Sequence, residues 1–193
     1  MLSRRHFLAV GAATLVGGWA VEPAPADAAA KAIPHKLLPH RHHRVRPERS
    51  VHLYNVHTGE SLRSVYWIGG HYQPTEMHRL AHLLRDHYTN AVHPIDRRTI
   101  DLLHALHRRI GGNKPFLVIS GYRTPATNAM LAAAGEGVAT HSLHMRGMAV
   151  DLRMEGHSVR RMGRAARSLR MGGVGIYPSS NFIHVDSGPI RYW

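Results

Sequence analysis

Two short segments of this sequence carry residue types that bind metal ions. The first contains His144 and Asp151 with Gly147 between them. We expect His144 to end a loop and Asp151 to lie in the strand that follows, because a tight turn at Gly147 would bring imidazole and carboxylate to one point. The second segment offers a third ligand from another strand. There, His184 and Asp186 share one face, since side chains alternate along a strand.

The composition limits the chemistry of such a site. The chain has 193 residues and no cysteine, so disulfides and thiolate metal sites are excluded and any zinc must be held by histidine and carboxylate. Hydrophobic residues make up 44% and charged residues 19%, which is enough apolar material for one globular core. We therefore expect one folded domain with one active site.

Several motifs together resemble a known family. Ser142-x-His-x-x-Gly-x-Ala-x-Asp151 and Phe182-x-His-x-Asp-x-Gly188 are similar to motifs of the zinc peptidases that include D-alanyl-D-alanine carboxypeptidases and cell-wall endopeptidases. Three further segments and the ending match the murein endopeptidase K-like group of that family. They are Asn55-x-His-Thr-Gly-Glu-Ser61, Ser120-Gly-Tyr-Arg123, Gly172-Gly-Val-Gly175 and His184-Val-Asp-Ser-Gly-Pro-x-Arg-x-Trp193. The resemblance covers residues 51–193.

The resemblance implies that His144, Asp151 and His184 bind Zn²⁺. It also implies an α+β fold of the hedgehog and D,D-peptidase type, a small antiparallel sheet with helices packed on it. Two histidines and one carboxylate supply three of the four positions of a catalytic zinc site. Zinc in such a site lowers the pKa of bound water to roughly 7 and polarises a peptide carbonyl, so we expect a metallopeptidase.

A general base must lie within reach of the water. Asp186 is our candidate, because it shares a strand face with His184. Carboxypeptidases of the family have a glutamate three residues before the last histidine ligand, where this chain has Asn181. His141 and His157 flank the first motif, and we interpret both as neighbours of the site.

A substrate-binding group is expected next to the metal. The family resemblance implies that Arg123, in a loop with Ser120 and Tyr122, holds a carboxylate or carbonyl of the substrate, and a guanidinium suits two-pronged binding. The alternative is a surface arginine paired with a structural acid. Asn55 and Glu60 also match family positions, without a chemical role that we can assign.

The elements that must position these residues follow from periodicity. Strand patterns, joined first by a turn at 57–60, alternate with helical patterns in which apolar residues recur every three or four positions. The order is α+β in a single domain. The predicted strands are 51–56, 62–68, 116–119, 148–154, 174–177 and 182–186, and the predicted helices are 74–88, 100–110, 125–134 and 158–171.

Other histidines could suggest further metal sites. His78 with His82 and His104 with His107 have helical spacing, but neither pair has a glutamate and a third ligand, so a solvated face is favoured. His40, His42 and His43 belong to a basic, proline-rich segment and are interpreted as solvated tail.

The first fifty residues are predicted to contain an export signal and a disordered linker. Arg4 and Arg5 precede an apolar run from Ala9 to Val21 and then small residues through Ala30, which is typical of a twin-arginine export signal at residues 1–30. Residues 31–50 are basic and proline-rich and are predicted to be a disordered linker, so the zinc peptidase domain spans 51–193. We expect export to the periplasm, with no stable membrane anchor once the signal is removed.

The net charge and the predicted export signal together limit the classes of molecule that this protein is expected to bind. The net charge is +13, and it remains +13 without the signal, which holds two basic and two acidic residues. This charge alone would fit nucleic acid, but export argues against that partner and favours an acidic wall polymer. The sequence does not indicate an oligomeric state.

Three functions agree with this pattern. The first is an endopeptidase that cuts cross-links between the stem peptides of peptidoglycan, either D-Ala to diaminopimelate or diaminopimelate to diaminopimelate. The second is a D,D-carboxypeptidase that removes terminal D-alanine. The third is a peptidoglycan-binding module without activity. Asn181 supports this alternative, because it stands where carboxypeptidases of the family have a glutamate.

Overall fold

A computed structural model describes residues 46–135 and 138–193. The predicted signal, most of the predicted linker and the His40, His42 and His43 cluster lie outside these residues. The helices are α1 (Pro74–Leu83), α2 (Arg97–Ile110), α3 (Pro125–Ala133) and α4 (Val159–Leu169), with a 3₁₀ helix at Leu143–Arg146. The strands are β1 (Glu48–Asn55), β2 (Ser61–Ile68), β3 (His71–Tyr72), β4 (Phe116–Ser120), β5 (Ala149–Arg153), β6 (Gly173–Tyr177), β7 (Phe182–Asp186) and β8 (Arg191–Tyr192).

The strands form one sheet in the order β3-β2-β1-β4-β5-β7-β6-β8. Most neighbouring strands are antiparallel, but β1 with β4 and β6 with β8 are parallel. The predicted α+β class, with helices on a sheet, is confirmed. The sheet differs from the expected small antiparallel one because the crossover through α1 and α2 returns β4 parallel to β1.

Helices cover one face of this sheet. The side chain of Asp96 accepts a hydrogen bond from the backbone N–H of Arg98 and so caps the start of α2. The buried stripe of α2 includes Ile100, Leu103 and Leu106, all 0% exposed, and α2 contacts β1, β7 and α4. The apolar residues of β5 and β7 face this layer, which leaves the opposite face of these two strands for polar side chains.

Some element boundaries differ from the prediction. Helix α1 ends at Leu83, so Tyr88 lies in the following loop and is 54% exposed. Strand β1 begins at Glu48, inside the predicted linker, and pairs there with the end of β2. The 3₁₀ helix and the short strands β3 and β8 were not predicted, since two to four residues are too few to show a period.

The two other histidine pairs differ in their surroundings: His78 and His82 are exposed on α1, as predicted for a solvated face, whereas His104 and His107 are partly buried on α2. The ring nitrogens of His104 and His107 lie 2.8 and 3.0 Å from the carbonyl oxygens of Ser50 and Lys114. Within the described part of the chain, only one group of three or more histidine or acidic side chains could hold a metal ion. It consists of His144, Asp151 and His184. No helix in the described ranges is long and apolar enough to cross a membrane.

Asn55 and Glu60 act in the β1–β2 connection. Asn55 donates to the carbonyl of Leu83 (2.9 Å) and accepts from the backbone N–H of His57 (2.9 Å), which joins the turn to the end of α1. Glu60 accepts from Arg85 at 2.6 Å. Their match to family positions therefore has a structural explanation.

Candidate metal centre

The site begins with two adjacent strands. Asp151 in β5 and His184 in β7 are directly paired in the sheet register. Their neighbours Val150, Leu152 and Ile183 are 0% exposed and face the helical layer. Alternation along each strand therefore turns the carboxylate and the imidazole to the opposite face of the sheet.

The third member comes from the 3₁₀ helix. Ser142 caps this helix by accepting from the backbone N–H of His144 (3.3 Å). Gly147 ends it in the left-handed region with φ 62°, which glycine adopts without strain. The turn predicted at Gly147 is confirmed, and it carries the chain directly into β5, so that His144 and Asp151 meet.

Three atoms converge at this point. His144 Nε2 lies 3.2 Å from both Asp151 Oδ1 and His184 Nδ1, and His184 Nδ1 lies 2.9 Å from Asp151 Oδ1. For a tetrahedral zinc with bonds of about 2.0–2.1 Å, ligand atoms are separated by about 3.3 Å. The triangle that the sequence predicted is therefore close to the size that zinc requires.

The second nitrogen of each imidazole shows where its proton lies. His144 Nδ1 is 2.6 Å from the carbonyl oxygen of Gly121, and His184 Nε2 is 3.0 Å from Asp186 Oδ2. Both oxygens only accept, so these nitrogens donate and the inward nitrogens present lone pairs. Two lone pairs and a carboxylate oxygen then point at one another, an arrangement that a shared cation stabilises.

The ionisation of the site agrees with this arrangement. Burial would raise the pKa of Asp151, but His144 and His184 outweigh it and hold this pKa far below its usual range. Burial lowers the pKa of His144. For His184, hydrogen bonds to Asp151 and Asp186 overcome the effect of burial and raise the pKa to about 9, so without a metal a proton takes the cation's place.

Asp186, the residue predicted to be the general base, lies behind the ring of His184. It is 0% exposed and contacts the Nε2 side of His184, away from the three converging atoms. Its oxygens also accept from the backbone N–H groups of Gly173 (3.2 Å) and Gly188 (2.8 Å). The predicted shared strand face is present, but Asp186 contacts the outer nitrogen of His184, which is the position of a group that orients a metal-binding histidine and not that of a base facing the cleft.

The predicted substrate-binding residues divide into two groups. Arg123 donates from Nε to Ser120 Oγ (2.7 Å) and from Nη2 to Asp151 Oδ2, so Arg123 and Ser120 adjoin the three converging side chains. Tyr122 is not among the residues that line the cleft. It stacks on His93 with ring centroids 4.6 Å apart, so the structure does not bring it to the cleft with Arg123 and Ser120.

A cleft of about 710 Å³ opens over His144, Asp151 and His184. One wall carries His57 and His87, whose rings stack 3.7 Å apart, and another carries Trp193. His141 also lines the cleft, as predicted for a neighbour of the site, whereas His157 does not and lies beside Gly112.

Sequence reasoning missed several cleft residues, namely His57, His87, Arg191 and Trp193. The first belongs to the Asn55 motif and the last two to the ending of the chain that carried the family resemblance. The presence of His57, Arg191 and Trp193 in the family motifs was a signal that could have identified them. Their chemistry could not be assigned without knowing that the β1–β2 turn and β8 both border the cleft.

Comparison with known proteins gives one consistent result. Residues 44–193 match a family model described as peptidoglycan L,D-endopeptidase MepK. The chain is 40% identical over 191 residues to the protein of that name from Escherichia coli strain K12, covering 99% of this chain and 97% of that protein. It is 41% identical over 140 residues to the probable peptidoglycan L,D-endopeptidase MepK of Haemophilus influenzae, covering 72% of this chain and 75% of that protein.

These matches confirm the resemblance that the motifs indicated. The family model spans the described domain and includes the three converging side chains, both arginines of the cleft and Trp193. The chain therefore belongs to the family described as peptidoglycan L,D-endopeptidase MepK.

Proposed function

We propose that this protein is an exported zinc endopeptidase that hydrolyses diaminopimelate-to-diaminopimelate cross-links of peptidoglycan. The observation that carries the proposal is the convergence of His144 Nε2, Asp151 Oδ1 and His184 Nδ1 at the base of an open cleft. The names of the relatives favour this bond over the other cross-link. A diaminopimelate pair joins an L centre to a D centre, whereas D-Ala to diaminopimelate joins two D centres.

The residues of this chain would divide the work as follows. Zinc, when bound by His144, Asp151 and His184, would supply Lewis acidity toward the peptide carbonyl and lower the pKa of water toward neutrality. Arg123 fixes Asp151 through Oδ2 and leaves Oδ1 for the metal. Its positive charge beside the reacting carbonyl would stabilise the negative charge that develops on the oxygen.

The general base would be a histidine of the cleft wall. Among the described residues that line the cleft, the only carboxylate is Asp151, which serves as a ligand. Of the other histidines of the cleft, His57 is held by its contact from Nε2 to the carbonyl oxygen of Ile119 (2.9 Å), and His87 and His141 are our candidates for the proton acceptor. Burial, together with neighbouring His57, lowers the pKa of His87, which keeps it neutral and able to accept a proton at neutral pH.

Single variants test this assignment. Either His87→Gln or His141→Gln should lower kcat by about 10²–10⁴-fold with zinc content unchanged, because general-base assistance contributes about that much. His157→Gln is the matched control, since His157 lies outside the cleft. Near-normal rates in both cleft variants would exclude His87 and His141 as the base.

The proposed function is tested with two defined dimers. The purified protein is incubated with a diaminopimelate-linked dimer and with a D-Ala-to-diaminopimelate dimer, with chelator and after zinc is restored, and the products are identified by mass spectrometry. We expect monomers from the first dimer only, no cleavage with chelator, and recovery with zinc.

Other outcomes identify the competing functions. Loss of terminal D-alanine without splitting of dimers would identify a carboxypeptidase. Binding without cleavage at saturating zinc would identify a module without activity. Asp151→Ala is the inactive reference, since it removes one of the three ligands that a catalytic zinc needs.

A further inference from the structure

One charged side chain of the cleft has no part in the chemistry described so far. Arg191, in β8, lines the cleft, and its side chain is 43% exposed. The other arginine of the cleft, Arg123, is 13% exposed and donates to Ser120 and Asp151. Arg191 is therefore the guanidinium that a ligand in the cleft can reach.

The position of Arg191 is fixed by two contacts. Its Nη1 and Nη2 donate to Asp186 Oδ1 (3.2 Å) and Oδ2 (2.9 Å), and Asp186 is fully buried. Its Cζ lies 5.1 Å from the centroid of the Trp193 ring, and Trp193 donates in turn to the hydroxyl of Tyr177 (2.7 Å). The guanidinium is thus preorganised, with little side-chain entropy left to lose on binding.

Arg191 retains donors for a ligand. A guanidinium has five N–H groups, and the bonds of Arg191 to Asp186 and Pro189 within the described chain use three of them. Two donors remain, the number that a planar carboxylate accepts in a two-pronged contact.

The charges around the cleft leave the choice of ligand to Arg191 itself. Each arginine that lines the cleft is paired with a buried carboxylate, Arg123 with Asp151 and Arg191 with Asp186. The arginines therefore add no net positive charge, and selection of an anion depends on the two donors that Arg191 retains.

We propose that Arg191 binds a free carboxylate of the substrate next to the bond that is cut, and so makes the enzyme prefer acidic over amidated stem peptides. This inference rests on the proposed function. In a diaminopimelate cross-link, the D centre that carries the scissile nitrogen also carries a free carboxylate, so an anionic group lies one carbon from the reaction. Amidation of that carboxylate removes the charge and replaces one acceptor by a donor, which a guanidinium does not bind.

The test compares two ligands and three proteins by calorimetry. A stem tetrapeptide in which the D-centre carboxylate of diaminopimelate is free, and the same peptide amidated at that carboxylate, are titrated into the zinc-loaded wild type, Arg191→Gln and Arg161→Gln. Arg161 is exposed on α4 and outside the cleft, so it is a control with the same change of charge. We expect the wild type and the control to bind the acid at least about tenfold more tightly than the amide, and Arg191→Gln to bind both alike.

This design separates the proposal from a purely structural role. If Arg191 only supported Asp186, Arg191→Gln would weaken both ligands equally and keep the wild-type preference, and that result would overturn the inference. A wild type without preference would overturn it as well. If Arg191→Gln does not fold, Arg191→Lys should retain charge but show a reduced preference. Binding requires no turnover, so failure of the proposed function would appear separately, as lack of dimer cleavage by the wild type.

Discussion

At the scale of single residues, the chemistry of the centre depends on which nitrogen of each histidine keeps its proton. The carbonyl of Gly121 fixes this for His144, and the carboxylate of Asp186 fixes it for His184. Every hydrogen-bond partner of Asp186 in the described chain donates, including two backbone N–H groups and Arg191. An ionised carboxylate is the only group of this size that accepts from all of them.

Asp186→Asn should therefore weaken zinc binding. An amide NH₂ would meet donors on either side, and the carbonyl that remains is a weaker partner for His184 Nε2. We expect zinc affinity to fall by about 10–100-fold, the usual effect of losing a group that orients a ligand. Competition with a chromophoric chelator measures it. If Asp186 were instead the base, affinity would stay at the wild-type value and kcat alone would fall by about 10²–10⁴-fold.

The sequence was sufficient to predict that His144, Asp151 and His184 converge, but not how the residues around them are oriented. His144, Asp151 and His184 follow from a glycine turn, strand alternation and a motif, all of which are local features. The role of Asp186 depends on which side of the His184 ring faces the cleft. That of Tyr122 depends on its packing against His93 from a distant loop. The spacing of residues along the sequence determines neither the orientation of the His184 ring nor the packing of Tyr122.

At the scale of elements, the site requires the 3₁₀ helix and β5 to be joined by the shortest possible turn. Gly147 makes this turn with φ 62°, and a Cβ at this position would lie 2.3 Å from the carbonyl oxygen of Pro94. A contact under 3 Å with a backbone atom cannot be relieved by moving a side chain. The segment between the 3₁₀ helix and β5 would therefore have to shift, and His144 would shift with it.

Gly147→Ala should destabilise the protein by more than the cost of its dihedral angle. The matched control is Gly156→Ala, at φ 78° with nothing within 4 Å of the added Cβ. The control should cost about 1–2 kcal/mol for the left-handed conformation alone, whereas Gly147→Ala should cost more and also weaken zinc binding. Urea unfolding and zinc titration measure the two effects. Equal losses in both variants would mean that the contact with Pro94 is relieved.

A second element-scale link is made by Asp86, which is 1% exposed. It accepts from the N–H and hydroxyl of Thr124 (2.8 and 2.9 Å) at the start of α3, and from the N–H of Tyr88 (2.9 Å). It thereby joins the loop that carries His87 to the loop that carries Arg123. Burial would raise the pKa of Asp86, but these hydrogen bonds and Thr127 lower it to about 2.

This pKa gives a stability that depends on pH. The unfolded carboxyl has a pKa of about 3.9, so the folded state favours the ionised form and gains about 2 kcal/mol above that pH. The gain is lost as the pH falls from about 4 to about 2. Asp86→Asn should therefore lower the unfolding free energy of the metal-free protein at pH 7, with a smaller difference at pH 2.5. Glu155→Gln, at an exposed acid, should show neither effect, and a difference independent of pH would contradict the assignment.

Helices and long strands were predictable because their periods are visible over eight or more residues. Helix α2, bounded by Asp96 and Gly111, was predicted to within a few residues. The predicted extension of α1 to Tyr88 was wrong, because Asp86 takes up backbone N–H groups after the helix and turns the chain into a loop. This tertiary competition with the helix has no signature in apolar spacing.

At the scale of the whole molecule, the chain is strongly basic, and two of its arginines line the cleft. The net charge is +13, and Arg123 and Arg191 lie beside the three converging side chains. The overall field would then raise the rate of encounter with an anionic wall polymer, while the two arginines orient what has bound. Attraction by the overall charge and orientation by the two arginines can act on the wall only if the enzyme and the wall are in the same compartment.

Export is therefore the property of the whole chain that the proposed function requires, and the paired arginines are predicted to provide it. Replacing Arg4 and Arg5 by Lys-Lys keeps the positive charge before the apolar run but removes the pair that the twin-arginine route reads. The variant should accumulate as precursor in the cytoplasm, while the same substitution at Arg108 and Arg109, on the exposed end of α2, should not affect export. Cell fractionation followed by immunoblotting measures the ratio of precursor to mature protein. Efficient export of the Lys-Lys variant would assign the segment to a route that needs only charge and hydrophobicity. The metal centre would be unaffected by that result.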